Sequence, residues 1–209
     1  MVNKIFSPSY CCRKSNFIKK KNIKKIIIFA SGTGTNAENI INYYKVNTEV
    51  EIIMVFTNNP NAGVIDRISS MKIPTKIFDK VELNNGTLKQ QIEILNPDLI
   101  VLAGFLLKIP LDIIRTFNGK IINIHPALLP KHGGKGMYGD RVHQSVKEAR
   151  DFQTGITIHN VNENYDQGSI IYQTKVEIKS QDSIEEIAKK VKKLEHEHYP
   201  KVINKILFP

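Results

Sequence analysis

The spacing of apolar runs constrains this chain more than any other feature. Lys25–Ala30, Glu51–Thr57, Asp98–Ala103 and Lys120–Ile124 are short, apolar-rich runs, and helix-length stretches separate them. A strand that is apolar throughout is buried on both faces, and helix-length crossovers join strands that run in the same direction. The expected fold class is therefore α/β: a mostly parallel central sheet with helices on both sides. Asn36–Tyr44 has helical spacing in Ala37, Ile40, Ile41 and Tyr44. Ala62–Met71 and Leu88–Leu95 also read as helices, the latter stopped by Asn96-Pro97, and Pro74 and Ile77 lead into a short extended piece.

After residue 150 the pattern changes. Thr154–Val161 and Ile170–Ile178 alternate more and lie closer together, which predicts an antiparallel C-terminal extension of the sheet. Ser183–Ile206 reads as a long amphipathic C-terminal helix with Ile184, Ile187, Val191 and Leu194 on one face, and Asp182 is the expected N-cap. With no internal repeat and no linker, one domain over residues 24–209 is the economical reading, preceded by a basic tail, residues 1–23.

Charge narrows the function classes. The formal net charge is +10, but residues 1–25 hold eight Lys or Arg and no acid, so 22 basic and 20 acidic residues remain beyond them. A nucleic-acid enzyme carries its positive field on the folded face, and a nearly neutral body argues against that class. No run approaches the ~18 apolar residues of a membrane span. The tail has three readings: a disordered solvated arm, an organellar transit segment (it carries Ser7, Ser9 and Ser15), or an over-extended start. The only cysteines, Cys11 and Cys12, are adjacent and lie in it, so the body depends on neither a disulfide nor a cysteine-bound metal.

In a parallel sheet, ligands bind beyond the carboxyl ends of the strands. Ser31-Gly32-Thr33-Gly34-Thr35-Asn36-Ala37 follows the first strand and opens a helix. Glycines there allow a tight turn, and a helix N-terminus offers free N–H groups to an anion. A dinucleotide would also want an acid at the end of the second strand, but that strand ends Phe56-Thr57-Asn58-Asn59. A phosphate monoester suits the loop better; a structural turn without ligand is the alternative. Further on, Asn123-Ile124-His125-Pro126 places an amide and an imidazole two residues apart, hence on one side of a strand. Such a pair suits acyl transfer, the amide holding an oxyanion and the ring moving a proton; a satisfied polar strand end is equally compatible. Asp166, in Asn164-Tyr165-Asp166-Gln167-Gly168, is by itself a turn residue. His159 falls inside a strand, where packing is the expected role. His196 and His198 are two apart on a helix and cannot share a face.

Taken together, these stretches resemble the phosphoribosylglycinamide formyltransferase family. The resemblance rests on Ile28–Asn36, Val101-Leu102-Ala103-Gly104-Phe105, Ile122–Pro130, Tyr165-Asp166-Gln167-Gly168 and Glu195-His196-Glu197-His198-Tyr199-Pro200. It covers about residues 24–205. The Asn-x-His-Pro-x-Leu-Leu-Pro stretch is specific to folate-dependent formyl-transferring enzymes.

The resemblance implies a Rossmann-like formyltransferase fold. It implies transfer of a formyl group from 10-formyltetrahydrofolate, as co-substrate, to the amine of glycinamide ribonucleotide in purine synthesis. Carried over by position, Gly34, Thr35 and Asn36 match the loop that holds the substrate phosphate. Asn123 and His125 match the catalytic amide and acid, and Asp166 the carboxylate that pairs with the histidine and raises its pKa. Leu106, Leu107, Lys108 and Ile109 match the segment lining the folate pocket, with Asn123 beside it, and Glu195 an acid near the substrate ribose or amine. No metal, nucleic acid or membrane is expected as a partner; the expected state is a monomer or homodimer in the cytoplasm, with organellar targeting by the tail as the other possibility.

The chain departs from the family at about Val81, beside Lys80, where an arginine often contacts the folate tail. Lys131–Arg141 resembles a glycine-rich version of the loop found in one branch, open to two readings: closure over phosphate, or a mobile loop without a specific contact. The rivals are formyltetrahydrofolate deformylase, which shares the triad, methionyl-tRNA formyltransferase, and a non-catalytic phosphate-binding module. The deformylase normally carries a preceding regulatory domain, for which a 25-residue tail is too short. The tRNA enzyme needs a further C-terminal domain, and the chain stops soon after its last helix.

Overall fold

The computed structural model describes residues 22–209. The tail, apart from Asn22 and Ile23, and Cys11 and Cys12 with it, lies outside the described residues. Seven strands form one sheet: β1 (Lys24–Phe29), β2 (Val50–Thr57), β3 (Thr75–Ile77), β4 (Leu99–Leu102), β5 (Ile121–His125), β6 (Gln153–Asn160) and β7 (Ile170–Glu177). Their order is β3-β2-β1-β4-β5-β6-β7. The first five run parallel, and β6 and β7 are antiparallel to their neighbours, as the change of pattern after residue 150 predicts.

The period of two along β1 splits the core into two layers. Ile26 and Ile28 face one side, under α1 (Thr35–Tyr44), α2 (Gly63–Ile68) and α7 (Ile184–Leu207). Ile27 and Phe29 face the other, under α4 (Thr87–Leu95) and α5 (Leu111–Thr116), where Phe29 packs on Phe56, Phe78 and Phe105. All four β1 residues are at most 1% exposed, which is why the run had to be apolar throughout.

The structure corrects several sequence expectations. Ser183, not Asp182, caps α7: its hydroxyl accepts from the Glu186 N–H, and the Glu186 carboxylate accepts from the Ser183 N–H. A hydroxyl with Glu three residues on closes a reciprocal capping box, and it frees Asp182. Asp182 instead accepts from the Lys179 N–H and pairs with Lys190. The helix predicted over Ala62–Met71 is α2 followed by a single 3-10 turn, Ser69–Met71. The helices α3 (Lys80–Asn84), α5 and α6 (Asp140–Glu148) carry no strong sequence signal. The first two span five and six residues, and α6 buries only Val142, His143 and Val146.

Helix α7 contains Pro200, which has no N–H for the His196 carbonyl. The Asn39 side chain of α1 donates to that carbonyl at 2.8 Å, and Tyr44 of α1 reaches the Pro200 carbonyl at 3.4 Å. The proline thus docks α7 on α1. That contact brings Glu195, near the middle of α7, beside the glycine loop.

Candidate active site

The sheet order reverses direction between β1 and β4, so the loops leaving these two strands diverge and open a crevice. A cavity of about 720 Å³ fills it. Its walls are the glycine loop, residues 102–109, the end of β5, loop 134–140, the β6–β7 turn and one face of α7.

Gly34 has φ +74°, and a Cβ there would lie 2.5 Å from the Val64 side chain, so only glycine fits. Arg67 Nε donates to the Thr33 carbonyl at 2.8 Å, and the Val64 N–H donates to the Gly32 carbonyl at 3.1 Å. Helix α2 thereby braces the loop. Thr35 opens the ten-residue α1, and no side chain caps that end. Ser31 ties the loop to its neighbours: it donates to Asn58 at 2.6 Å and accepts from the Leu106 N–H at 3.0 Å. The anion-type loop and the 106–109 segment are one braced unit.

Strand β5 presents Asn123 and His125 to the cavity, as its period of two requires. Asn123 pairs with His159 of β6 across the antiparallel ladder, and its Nδ2 lies 3.1 Å from His159 Nε2. His159 Nδ1–H donates to the Asn160 carbonyl at 2.9 Å, which leaves Nε2 facing both the Asn123 amide and the Asp166 carboxylate. His159 therefore belongs to the site rather than to packing alone.

Asp166 sits in the β6–β7 turn at φ +56°, a left-handed position that Asp tolerates. Its carboxylate lies 3.5 Å from His125 Nδ1 and 3.6 Å from His159 Nε2, and accepts from the Gly134 N–H at 2.9 Å. Burial opposes its charge, but the two rings and that N–H outweigh burial and hold the carboxyl below its usual range. His125 is 3% exposed. Burial pushes its pKa down; Asp166 and the His132 carbonyl push it up, and burial prevails. The carboxylate raises the histidine pKa, as the sequence reading expects, yet the net direction is downward. Removing an imidazolium from water outweighs one carboxylate at 3.5 Å.

Glu195, also in the cavity wall, accepts from Asn36 Nδ2 at 2.9 Å. Burial pushes its carboxyl up to about 7, against the Asn36 hydrogen bond and the Lys192 charge. Lys192 lines the same wall.

The cavity thus brings together Gly34, Thr35, Asn36, Leu106, Leu107, Lys108, Ile109, Asn123, His125, Asp166 and Glu195. Lys80 and Val81 are not among its lining residues. Sequence reasoning passed over Lys192 and His143, which lines the cavity from α6 and is 6% exposed. The His159 contact depends on cross-strand pairing, and Lys192 is marked only by lying three residues before Glu195. Two buried polar atoms without partners, Asn36 Oδ1 and His143 Nδ1, belong to residues lining this cavity. Among the described residues, no group of three or more His, Cys, Asp or Glu is placed to hold a metal ion, and no helix is long and apolar enough to cross a membrane.

Comparison with known proteins gives the family. A family model described as Formyl transferase matches residues 24–203. The chain is 38% identical over 192 residues to the chloroplastic phosphoribosylglycinamide formyltransferase of Arabidopsis thaliana, covering 88% of this chain and 65% of that one. It is 36% identical over 191 residues to the phosphoribosylglycinamide formyltransferase of Bacillus subtilis, covering 88% and 95%. This chain therefore spans about two thirds of the plant protein and nearly all of the bacterial one. Among solved structures, phosphoribosylglycinamide formyltransferase from Bacillus halodurans superposes with a TM-score of 0.81 at 34% identity, over 88% of this chain and 96% of that one.

Proposed function

The chain belongs to the formyl transferase family, and on that premise we propose that it transfers a formyl group from 10-formyltetrahydrofolate to the amine of N1-(5-phosphoribosyl)glycinamide. The products are the N-formyl ribonucleotide and tetrahydrofolate, a step of purine (IMP) biosynthesis. One observation carries the reading. An anion-type helix start and an apolar segment wall one cavity, and Asn123, His125 and Asp166 line the same cavity.

The substrates map onto the cavity by chemistry. The ribonucleotide phosphate is assigned to the N–H groups of Gly34, Thr35 and Asn36, with Lys192 as counter-charge. Glu195 is assigned to the ribose or the amine. The folate ring is assigned to the wall built from Leu106, Leu107, Lys108 and Ile109, beside Asn123. Both partners are small molecules, and the proposed place of action is the cytoplasm.

As the amine nitrogen bonds to the formyl carbon, charge develops on the formyl oxygen. The Asn123 amide keeps a second N–H beyond the one it gives His159, and that donor is assigned to the oxygen. His125 rests with a lowered pKa, so it stands neutral at neutral pH and ready to take a proton. A nearby anion favours the imidazolium, and Asp166 stabilises it at Nδ1. The amine gives up one proton as the new C–N bond forms. The folate nitrogen regains one as the old C–N bond breaks. His125 is the proposed carrier, directly or through water, with no metal in the scheme.

The test is tetrahydrofolate production, followed by absorbance, with and without the ribonucleotide. Release that requires the ribonucleotide is the expected result. Release with water alone would assign hydrolysis instead, and no release from folded protein would leave only a binding module.

A further inference from the structure

His132 lies seven residues after His125, outside the cavity, and both its backbone and its ring are spent. Its carbonyl accepts from His125 Nε2–H at 2.9 Å. Its ring is clamped at two points: Nδ1 lies 2.8 Å from Ser145 Oγ on α6, and Nε2 lies 2.7 Å from Asp151 Oδ2, just beyond that helix. Asp151 also pairs with Lys131. The His132 side chain is 7% exposed, so the ring is buried, while Asp151 keeps a partly exposed carboxylate. The residue has φ +59°, a left-handed conformation that non-glycine residues adopt rarely. The two contacts of the ring fix where this left-handed residue sits.

The consequence falls on His125. A carbonyl only accepts, so it pins the proton of the neutral His125 ring on Nε2. The bare Nδ1 is then left 3.5 Å from the Asp166 carboxylate. A lone pair facing a carboxylate is unfavourable, and a proton between them is favourable. We propose that His132, clamped by Ser145 and Asp151, is a positioning residue for the reaction: its carbonyl fixes the His125 tautomer so that Asp166 drives protonation at Nδ1. Other titratable groups also act on that ring: His159 from β6, His143 from α6 and the His132 ring itself. The Lys131–Asp151 pair lies behind His132. The assignment of His125 as proton carrier rests on the function proposed above, but the tautomer it is held in does not.

The decisive readout is therefore taken on the free protein. Long-range 1H–15N spectra report the tautomer and titration of each of the six histidine rings, assigned by single replacements. Three variants are compared with the parent: His132→Ala, the double variant Ser145→Ala/Asp151→Asn, and His132→Asn. The parent should show His125 as the Nε2–H tautomer. His132→Ala and the double variant should show mixed tautomers and a His125 ring that titrates at lower pH. Turnover should fall roughly tenfold, the low end of the cost of losing an outer partner that orients a functional histidine, with both KM values within about twofold. Asparagine tolerates the left-handed backbone and can still bond Ser145, so His132→Asn should fall between parent and His132→Ala. If His132→Ala does not fold, the double variant, which leaves residue 132 intact, gives the same readout. An unchanged His125 tautomer and titration in a folded variant overturns the proposal, whatever happens to stability or turnover. Because no substrate is involved, that failure is distinct from a failure of the formyl-transfer reading.

Discussion

Replacing Asp166 by asparagine isolates a charge while keeping a shape. The Gly134 N–H, at 2.9 Å, retains an oxygen acceptor, so the turn should survive. What disappears is the attraction between the carboxylate and an imidazolium whose Nδ1 lies 3.5 Å away. At that separation and an effective dielectric of about 20, two unit charges attract by about 5 kcal/mol. Relaxation and water entry take back part of it, leaving about 3–4 kcal/mol, or about 10²- to 10³-fold in turnover. The direction is reinforced by burial, which already lowers the His125 pKa and in the variant acts without its main opponent. The assay is tetrahydrofolate release at saturating concentrations of both substrates, with circular dichroism to establish the fold. Stability adds an independent check. The Asp166 pKa is lowered in the folded protein, so its contribution is fully present above the ordinary carboxylate range and is lost as pH falls through the lowered value. The parent should therefore lose more stability than the variant on acidification. Near-normal turnover of Asp166→Asn, with an unchanged pH profile, would refute the idea that His125 works as a charged ring.

Asn123→Ala removes the amide assigned to the formyl oxygen, and a loss of about 10²- to 10³-fold in kcat is expected with little change in KM. Glu195 titrates near 7, so the KM for the ribonucleotide should rise as pH falls below that value; in Glu195→Gln this dependence should vanish, and its persistence would exclude Glu195 as the contact. Gly34→Ala forces a side chain into a left-handed position against Val64. It should cost about 1–3 kcal/mol, read as a lower Tm, and should raise the KM for the ribonucleotide more than that for the folate. Ile92→Ala, at a fully buried position on α4 away from the cavity, should cost about 2–5 kcal/mol in denaturant unfolding while leaving kcat unchanged.

Much of the architecture was legible from local pattern. Lys25–Ala30 could only be a strand covered on both faces, and Asn96-Pro97 could only end a helix, because burial period and backbone sterics are properties of a few adjacent residues. Asn123 and His125 were legible as a pair for the same reason: two residues apart on a strand means one side. The helices α3, α5 and α6 were not, since five to nine residues with one to three buried positions carry too little periodicity to stand out.

What the sequence determined by itself is therefore the set of strands, the position of the candidate site loops after them, and the chemical types gathered there. Three things were decided only by tertiary structure. Asp166 meets His125 because the β6–β7 turn folds back over the end of β5, forty-one residues away along the chain. His159 faces Asn123 because an antiparallel register, set by long-range pairing, places them opposite each other. The net direction of the His125 pKa follows from burial by elements distant in sequence, which no reading of its neighbours could weigh against one carboxylate. Local geometry is written in adjacent residues, whereas the electrostatics of a site depend on everything the fold brings around it.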